Sequence, residues 1–166
     1  LVRRLMDLPQ PLVLDADGIN ALAGHMDEWE RRRGRVTVLT PHEGEFLRVG
    51  GNLSQGRTAA AEDFARRSEA VVVLKGPGTV VAGPDGRCRV NTTGNCGMAK
   101  GGSGDVLSGV VLALLGLGMD AFDACCCAVW LHGRAGDLAA QEKGQWGMTP
   151  TDLLERLPQA LREVTE

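Results

Sequence analysis

Short, wholly apolar runs alternate along this chain with segments whose apolar residues recur at helical spacing, and that alternation predicts an α/β fold. Pro11-Leu-Val-Leu-Asp15, closed by Asp-Ala-Asp-Gly, predicts a buried strand, and Ile19, Leu22 and Met26 then mark a helix that starts near Gly18 with Asp17 as its cap. Val36–Thr40 predicts a second strand, after which Pro41 suits the first turn of a short helix through Val49. Gly50-Gly51 breaks the pattern. Ser54 is expected to cap a helix carrying Ala60, Phe64 and Ala65, and Val71–Leu74 predicts a third buried strand. Thr79–Ala82 and Arg87–Val90, joined by Gly83-Pro-Asp-Gly86, predict a β-hairpin. The sheet is therefore expected to be mostly parallel, with helices on both faces and an antiparallel hairpin. After a glycine-rich loop, Val106–Leu117, Ala121–Ala140 and Thr149–Val164 predict three helices, the first two apolar nearly all round and so expected to be buried. Thr149 and Asp152 fit a capping box on the third.

Composition changes this picture little. With 166 residues, 43% apolar and 23% charged, the chain is expected to be one globular domain. A net charge of −3, and acidic neighbours around the Arg31–Arg33 run, argue against nucleic acid. The longest apolar stretch, Val106–Met119, is interrupted by Ser108 and glycines and falls short of a membrane span, so a cytoplasmic setting is expected. The five cysteines include Cys125-Cys126-Cys127. Adjacent helical residues point about 100° apart and cannot converge on one metal, so the three are expected to be small core residues and no protein-held metal is expected. The chain opens Leu-Val-Arg-Arg without Met, which suggests a missing upstream part.

Chemistry concentrates in Thr92-Thr-Gly-Asn-Cys-Gly-Met-Ala-Lys-Gly-Gly-Ser-Gly-Asp-Val-Leu-Ser-Gly109, which holds six glycines and runs into an apolar helix. Such a loop lets backbone N–H groups at a helix N-terminus meet an anion. It is not a Walker A loop, because Ser103-Gly104 stands where Lys-Ser/Thr is required, and Leu107 stands where GxGxxG needs its third glycine. The distinctive element is Gly102-Ser-Gly-Asp105. A carboxylate beside a phosphate site suits a base that deprotonates a hydroxyl attacking a phosphoryl group; capping the helix is its ordinary alternative.

Asn91–Gly109 resembles the anion-hole signature of the NAD(P)H-hydrate dehydratases, members of the ribokinase-like carbohydrate kinases. Leu14-Asp-Ala-Asp-Gly-Ile-Asn-Ala-Leu22, Leu39-Thr-Pro-His-Glu-Gly-Glu-Phe-Leu47, Val73-Leu-Lys-Gly-Pro-Gly-Thr79 and His132-Gly-Arg-Ala-Gly-Asp137 resemble the same family in the same order. The resemblance implies a ribokinase-like three-layer fold, with residues 1–166 forming the C-terminal part of a single domain whose N-terminal portion is absent. It implies transfer of phosphate from ADP or ATP, with Mg2+, to the hydroxyl of hydrated NADH or NADPH, followed by elimination of phosphate to regenerate the nicotinamide. Asp105 would be the base. Lys75, Gly76, Pro77, Gly78, Thr79, Asn95, Lys100, Gly101, Gly102, Ser103 and Gly104 would contact the nucleotide, with Lys100 on its phosphates. His42, Glu43, Asp17, Asn20 and Asp105 would contact the hydrated dinucleotide, and Asp15 would meet substrate or a magnesium-bound water. His132 and Asp137 are expected to be structural. The resemblance also implies a homo-oligomer and a functional link to an NAD(P)H-hydrate epimerase.

A kinase of the same fold acting on a thiamin-precursor alcohol, and a non-catalytic nucleotide-binding remnant, are the competing readings. Because strands Val13 and Val38 would lack neighbours, the chain alone is expected to be poorly soluble or oligomeric and weakly active.

Overall fold

The computed structural model describes residues 1–25 and 27–165. Met26, the third apolar position expected on the first long helical pattern, lies outside the described residues. Five strands, β1 (Leu12–Leu14), β2 (Thr37–Leu39), β3 (Val71–Leu74), β4 (Val80–Ala82) and β5 (Cys88–Val90), lie in sequence order across one sheet. β1, β2 and β3 are parallel, and β4 and β5 return antiparallel as the expected hairpin.

Strand side chains alternate between two apolar layers. Leu39, Val72, Leu74, Val80 and Ala82 face one cluster with Ile19, Leu22, Phe46 and Phe64, contributed by helices α2 (Asp17–Asn20), α4 (Glu43–Arg48) and α5 (Arg57–Ser68) and the turn after α2. Val38, Val71, Val73 and Val81 face the other, against α6 (Ser103–Gly116) and α7 (Ala121–Gly147). Both faces are covered, which is why the parallel strands read as unbroken apolar runs. α8 (Pro150–Thr165) packs on α7, and α1 (Val2–Leu5) and α3 (Asp27–Glu30) flank β1 and β2 in sequence. The Arg31–Arg33 run serves the fold: Arg32 is 1% exposed and bonds the carbonyls of Leu8, Gln10 and Val36, clamping the chain ahead of β1.

Several local expectations are corrected. Asp17 does not cap α2. It is the first helical residue, and the preceding Ala16 takes up φ +46°, ψ −117° without any side-chain cap. Such a conformation costs a residue with a side chain about 1–3 kcal/mol. Ser54 does not cap α5, because Gly56 at φ +90° turns the chain directly into Arg57. Pro41 precedes α4 rather than opening it, and His42 is the cap. α7 continues seven residues past Ala140 to Gly147, with a break at Gly144 (φ +70°). α6 is not buried all round, since Leu112 is 55% exposed. Of the three adjacent cysteines only Cys125 is buried; Cys126 is half-buried and Cys127 exposed, as a 100° step between neighbours requires. Only half of the capping box expected on α8 forms: Asp152 accepts from the Thr149 amide at 2.7 Å and hydroxyl at 2.8 Å, while its own amide bonds the Thr149 carbonyl at 3.0 Å, and Lys143 reaches the same carboxylate.

Candidate active site

The carboxyl ends of β1, β2 and β3 deliver Asp15, His42 and Lys75 to one edge of the sheet, where open α/β sheets bind ligands. A parallel bridge pairs His42 with Lys75, and the Lys75 amide donates to the Pro41 carbonyl at 2.8 Å. α6 begins at the same edge. Lys75 Nζ lies 2.6 Å from Asp15 Oδ1 and 3.9 Å from Glu45 Oε2, and Ser108 of α6 donates to Asp15 Oδ2 at 3.1 Å.

The glycine loop, where an anion site is expected, runs into the first turn of α6. Gly102, at φ +96°, turns the chain into the helix without any side-chain cap, and a Cβ there would press on Pro150 at 3.1 Å. Among the described residues the amides of Gly101, Gly102, Gly104 and Asp105 have no hydrogen-bond partner, whereas the Ser103 amide donates to the Lys100 carbonyl at 3.3 Å. Four N–H groups without a described partner thus cluster at the positive end of a 14-residue helix. The Ser103 hydroxyl is buried without a partner among the described residues. Asp105 is the third residue of α6, exposed, and its carboxylate bonds to no described residue, so the capping alternative does not hold.

His42 caps α4. Its Nδ1 accepts from the amides of Gly44 at 2.9 Å and Glu45 at 3.2 Å, while Glu45 returns to the His42 amide at 2.8 Å, a complete capping box. With Nδ1 an acceptor, the neutral ring carries its proton on Nε2. Glu43 pairs with Arg57 at 3.2 Å. Asn20 accepts from Arg48, and Asp17 stays exposed with a long 3.4 Å contact from Asn20. Thr79 closes the Gly76–Thr79 turn through a 3.1 Å bond to the Gly76 carbonyl, leaving Gly76, Pro77 and Gly78 exposed.

Two expected nucleotide contacts are occupied elsewhere. The Lys100 ammonium donates to the carbonyls of Trp146 at 2.9 Å and Met148 at 2.5 Å, satisfying the C-terminal end of α7. Asn95 accepts from the Gly97 amide and donates to Asp137 Oδ1 at 3.0 Å, so its side chain shapes the loop. Asp137 also accepts from the Gly94 amide, which gives it the structural role expected of it.

Two neighbours of this edge were missed: Ser108 and Arg57. Arg57 bonds the carbonyls of Leu74 at 2.9 Å and Pro77 at 2.5 Å and so braces the turn after Lys75. The signal was there to read, because a cation on the first turn of a helix opposes the dipole and needs another task.

His132 Nε2 donates to the Ser103 carbonyl at 2.9 Å, tying α7 to the anion site. Burial, with the Lys75 charge adding to it against that hydrogen bond, lowers the ring's pKa to about 4. Above pH 6.5 the ring is neutral folded or unfolded. As pH falls from 6.5 to about 4 only the unfolded ring gains a proton, so stability falls by up to about 3 kcal/mol, and below that range the loss is complete. Urea unfolding at pH 7.5 and 4.5 should show this drop, and His132→Gln should flatten it; equal pH slopes in the two proteins would disprove the assignment.

Recesses of about 330 Å³ between the hairpin and α7, and about 360 Å³ beside α5, are lined by neither Lys75 nor Asp105. No group of three His, Cys, Asp or Glu side chains suited to a metal occurs among the described residues. Mg2+ that takes most of its ligands from nucleotide phosphates and water fits such a site, with the exposed Asp105 as the available carboxylate.

Residues 1–159 match the carbohydrate-kinase family described as NAD(P)H-hydrate dehydratase. The chain belongs to the NAD(P)H-hydrate dehydratase family. It is 47% identical, over 95% of its length, to the bifunctional NAD(P)H-hydrate repair enzyme Nnr of Thermofilum pendens, of which it spans 30%. It is 40% identical, over 89% of its length, to the ADP-dependent (S)-NAD(P)H-hydrate dehydratase of Bacillus subtilis, of which it spans 53%. The crystal structure of the ADP/ATP-dependent NAD(P)H-hydrate dehydratase from Bacillus subtilis, co-crystallised with ATP/Mg2+, has a TM-score of 0.83 at 36% identity, covering 98% of this chain and 58% of that one. Hydroxyethylthiazole kinase from Pyrococcus horikoshii, with a TM-score of 0.74 at 20% identity over 97% of this chain and 66% of its own, shares the fold alone. The ribokinase-like three-layer architecture is thereby established, over roughly half the length of the dehydratase relatives or less. No described helix is long and apolar enough to cross a membrane.

Proposed function

We propose that this chain carries the phosphoryl-transfer centre of an enzyme that dehydrates hydrated NADH or NADPH at the expense of ADP or ATP. The observation that carries the reading is the exposed, unbonded Asp105 standing among the free amides of Gly102, Gly104 and Asp105 itself. Those amides suit a transferring phosphoryl group, and Asp105 suits the base that takes the proton from the attacking hydroxyl of the hydrated ring. The nucleotide's terminal P–O bond breaks as the ring oxygen binds phosphorus, giving AMP from ADP or ADP from ATP. Loss of phosphate with a ring proton then restores the carbon–carbon double bond. Mg2+, when bound with the nucleotide, supplies charge neutralisation on its phosphates.

The Gly76–Thr79 turn lines the nucleotide, and His42 and Glu43 contact the hydrated dinucleotide. Lys100 and Asn95 act by holding the glycine loop to α7. The relatives named as bifunctional repair enzymes support a link to an epimerase that supplies the usable hydrate epimer. Incubating the protein with hydrated NADH and either ADP or ATP should restore the absorbance of reduced nicotinamide. Nucleotide binding without that return would reject the dehydratase assignment.

A further inference from the structure

Asp15 takes no part in the steps just described, yet its carboxylate is a meeting point of the sheet and α6. Lys75 from the end of β3 sits 2.6 Å from one oxygen, and Ser108 of α6 donates to the other at 3.1 Å. Burial pushes the Asp15 pKa up, but the hydrogen bond and charge of Lys75, with the hydroxyls of Thr40 and Ser108, outweigh it and hold the group below the usual carboxylate value. Ala16, the next residue, is one of two described non-glycine residues at positive φ. Backbone strain persists where the surroundings impose it, and here it directly follows a carboxylate held from both sides by Lys75 and Ser108.

The pair lies against the anion site. A Cβ on Gly104 would stand 3.3 Å from Asp15 Oδ2 and 3.5 Å from Lys75 Nζ, so both charges touch the first turn of α6. As a stabilising ion pair this arrangement is a poor investment, since desolvation offsets much of the attraction. As a metal ligand Asp15 is already engaged, with both oxygens bonded within the protein.

We propose that Asp15 is a positioning residue that acts through Lys75, holding the ammonium at the mouth of the anion site in the orientation needed when charge develops on the transferring phosphoryl group. The proposal rests on the phosphoryl-transfer reading above. A lysine ammonium on its four-carbon stem is mobile, and without its anchor it follows the ground-state phosphates. Anchored, it is preorganised for the transition state. The Asp15 charge also repels the bound nucleotide, so its removal affects binding and turnover in opposite directions.

The test compares Asp15→Asn, Lys75→Met and the double variant in the complete enzyme, measuring ADP affinity by calorimetry and then kcat and KM. Asp15→Asn should bind ADP as tightly as the parent or up to about 10-fold tighter, while kcat falls about 10- to 100-fold. Lys75→Met should lose about 10-fold or more in both. The double variant should be no slower than Lys75→Met, because one residue acts through the other. Ser108→Ala should reproduce a smaller kcat loss of about 2- to 5-fold at unchanged ADP affinity, and it decides the matter if Asp15→Asn does not fold. Weaker ADP binding in Asp15→Asn, a parental kcat, or losses that multiply in the double variant would overturn the proposal. Should the parent bind ADP yet restore no NADH, the dehydratase reading falls, and the affinity pattern of the variants still decides the role of Asp15.

Discussion

Replacing Asp105 by Asn is expected to lower kcat by about 10²- to 10⁴-fold, the range a positioned general base contributes, while the protein stays folded and binds nucleotide. Two features separate this result from a structural effect. The side chain is exposed and makes no hydrogen bond to a described residue, so the amide replaces the carboxylate without a lost partner. Its contribution to the helix dipole, in the first turn of α6, is worth about 0.3–1 kcal/mol and sets the scale of any stability loss. ADP affinity should hold or rise, since a negative charge leaves the edge of an anion site. Circular dichroism melting, ADP calorimetry and single-turnover kinetics on the same preparation make the comparison. A variant with kcat within about threefold of the parent would remove Asp105 from the chemistry and leave only the amides as a binding site.

Much of this arrangement was legible in the sequence because it is local. The strands announced themselves as apolar runs closed by Pro, Gly or Asp, and the hairpin by Gly83-Pro-Asp-Gly86; each observed strand lies inside its expected span. The glycine loop and Asp105 were readable for the same reason, since a helix N-terminus and its approach are contiguous. Side chains whose partners come from remote segments were not. Lys100 looked like a phosphate contact because it sits among glycines, yet its acceptors lie 46 and 48 residues ahead, where α7 ends. Asn95 is likewise held by Asp137, 42 residues on. Helix starts failed differently: Asp17 and Ser54 have the chemistry of caps, but the turn into each helix is set by backbone conformation at Ala16 and Gly56. Capping preference is a local energy of about 1 kcal/mol, small enough for the surrounding packing to override.

The same remote packing defines the second large effect, which falls on Gly133 in the middle of α7. Gly in a helix interior ordinarily costs about 1 kcal/mol relative to Ala, so propensity alone says that Gly133→Ala stabilises. Packing says otherwise. A Cβ at Gly133 would lie 2.2 Å from Thr93 Oγ1 and 2.7 Å from the Thr93 carbonyl carbon, and the second contact is backbone that cannot swing away. Thr93 is pinned there by its hydroxyl's 3.0 Å bond to the Trp130 carbonyl, and Asn91 secures the same stretch through the Val129 carbonyl at 3.2 Å. Overpacking of this kind costs about 1–3 kcal/mol, and displacing the loop adds about 1 kcal/mol for each hydrogen bond broken. The sum exceeds the propensity gain. Gly133→Ala is therefore expected to lose about 2 kcal/mol or more in urea unfolding, and Gly133→Val more still. Because Asn91–Asn95 leads into the anion loop, ADP affinity should fall in the fraction that remains folded. Gly109→Ala supplies the contrast: it too lies inside a helix, but a Cβ there meets nothing within 4 Å, so this substitution should stabilise by up to about 1 kcal/mol. If both alanines stabilise alike, helix propensity governs these positions, and the close seating of the loop on α7 is not what holds the anion site in place.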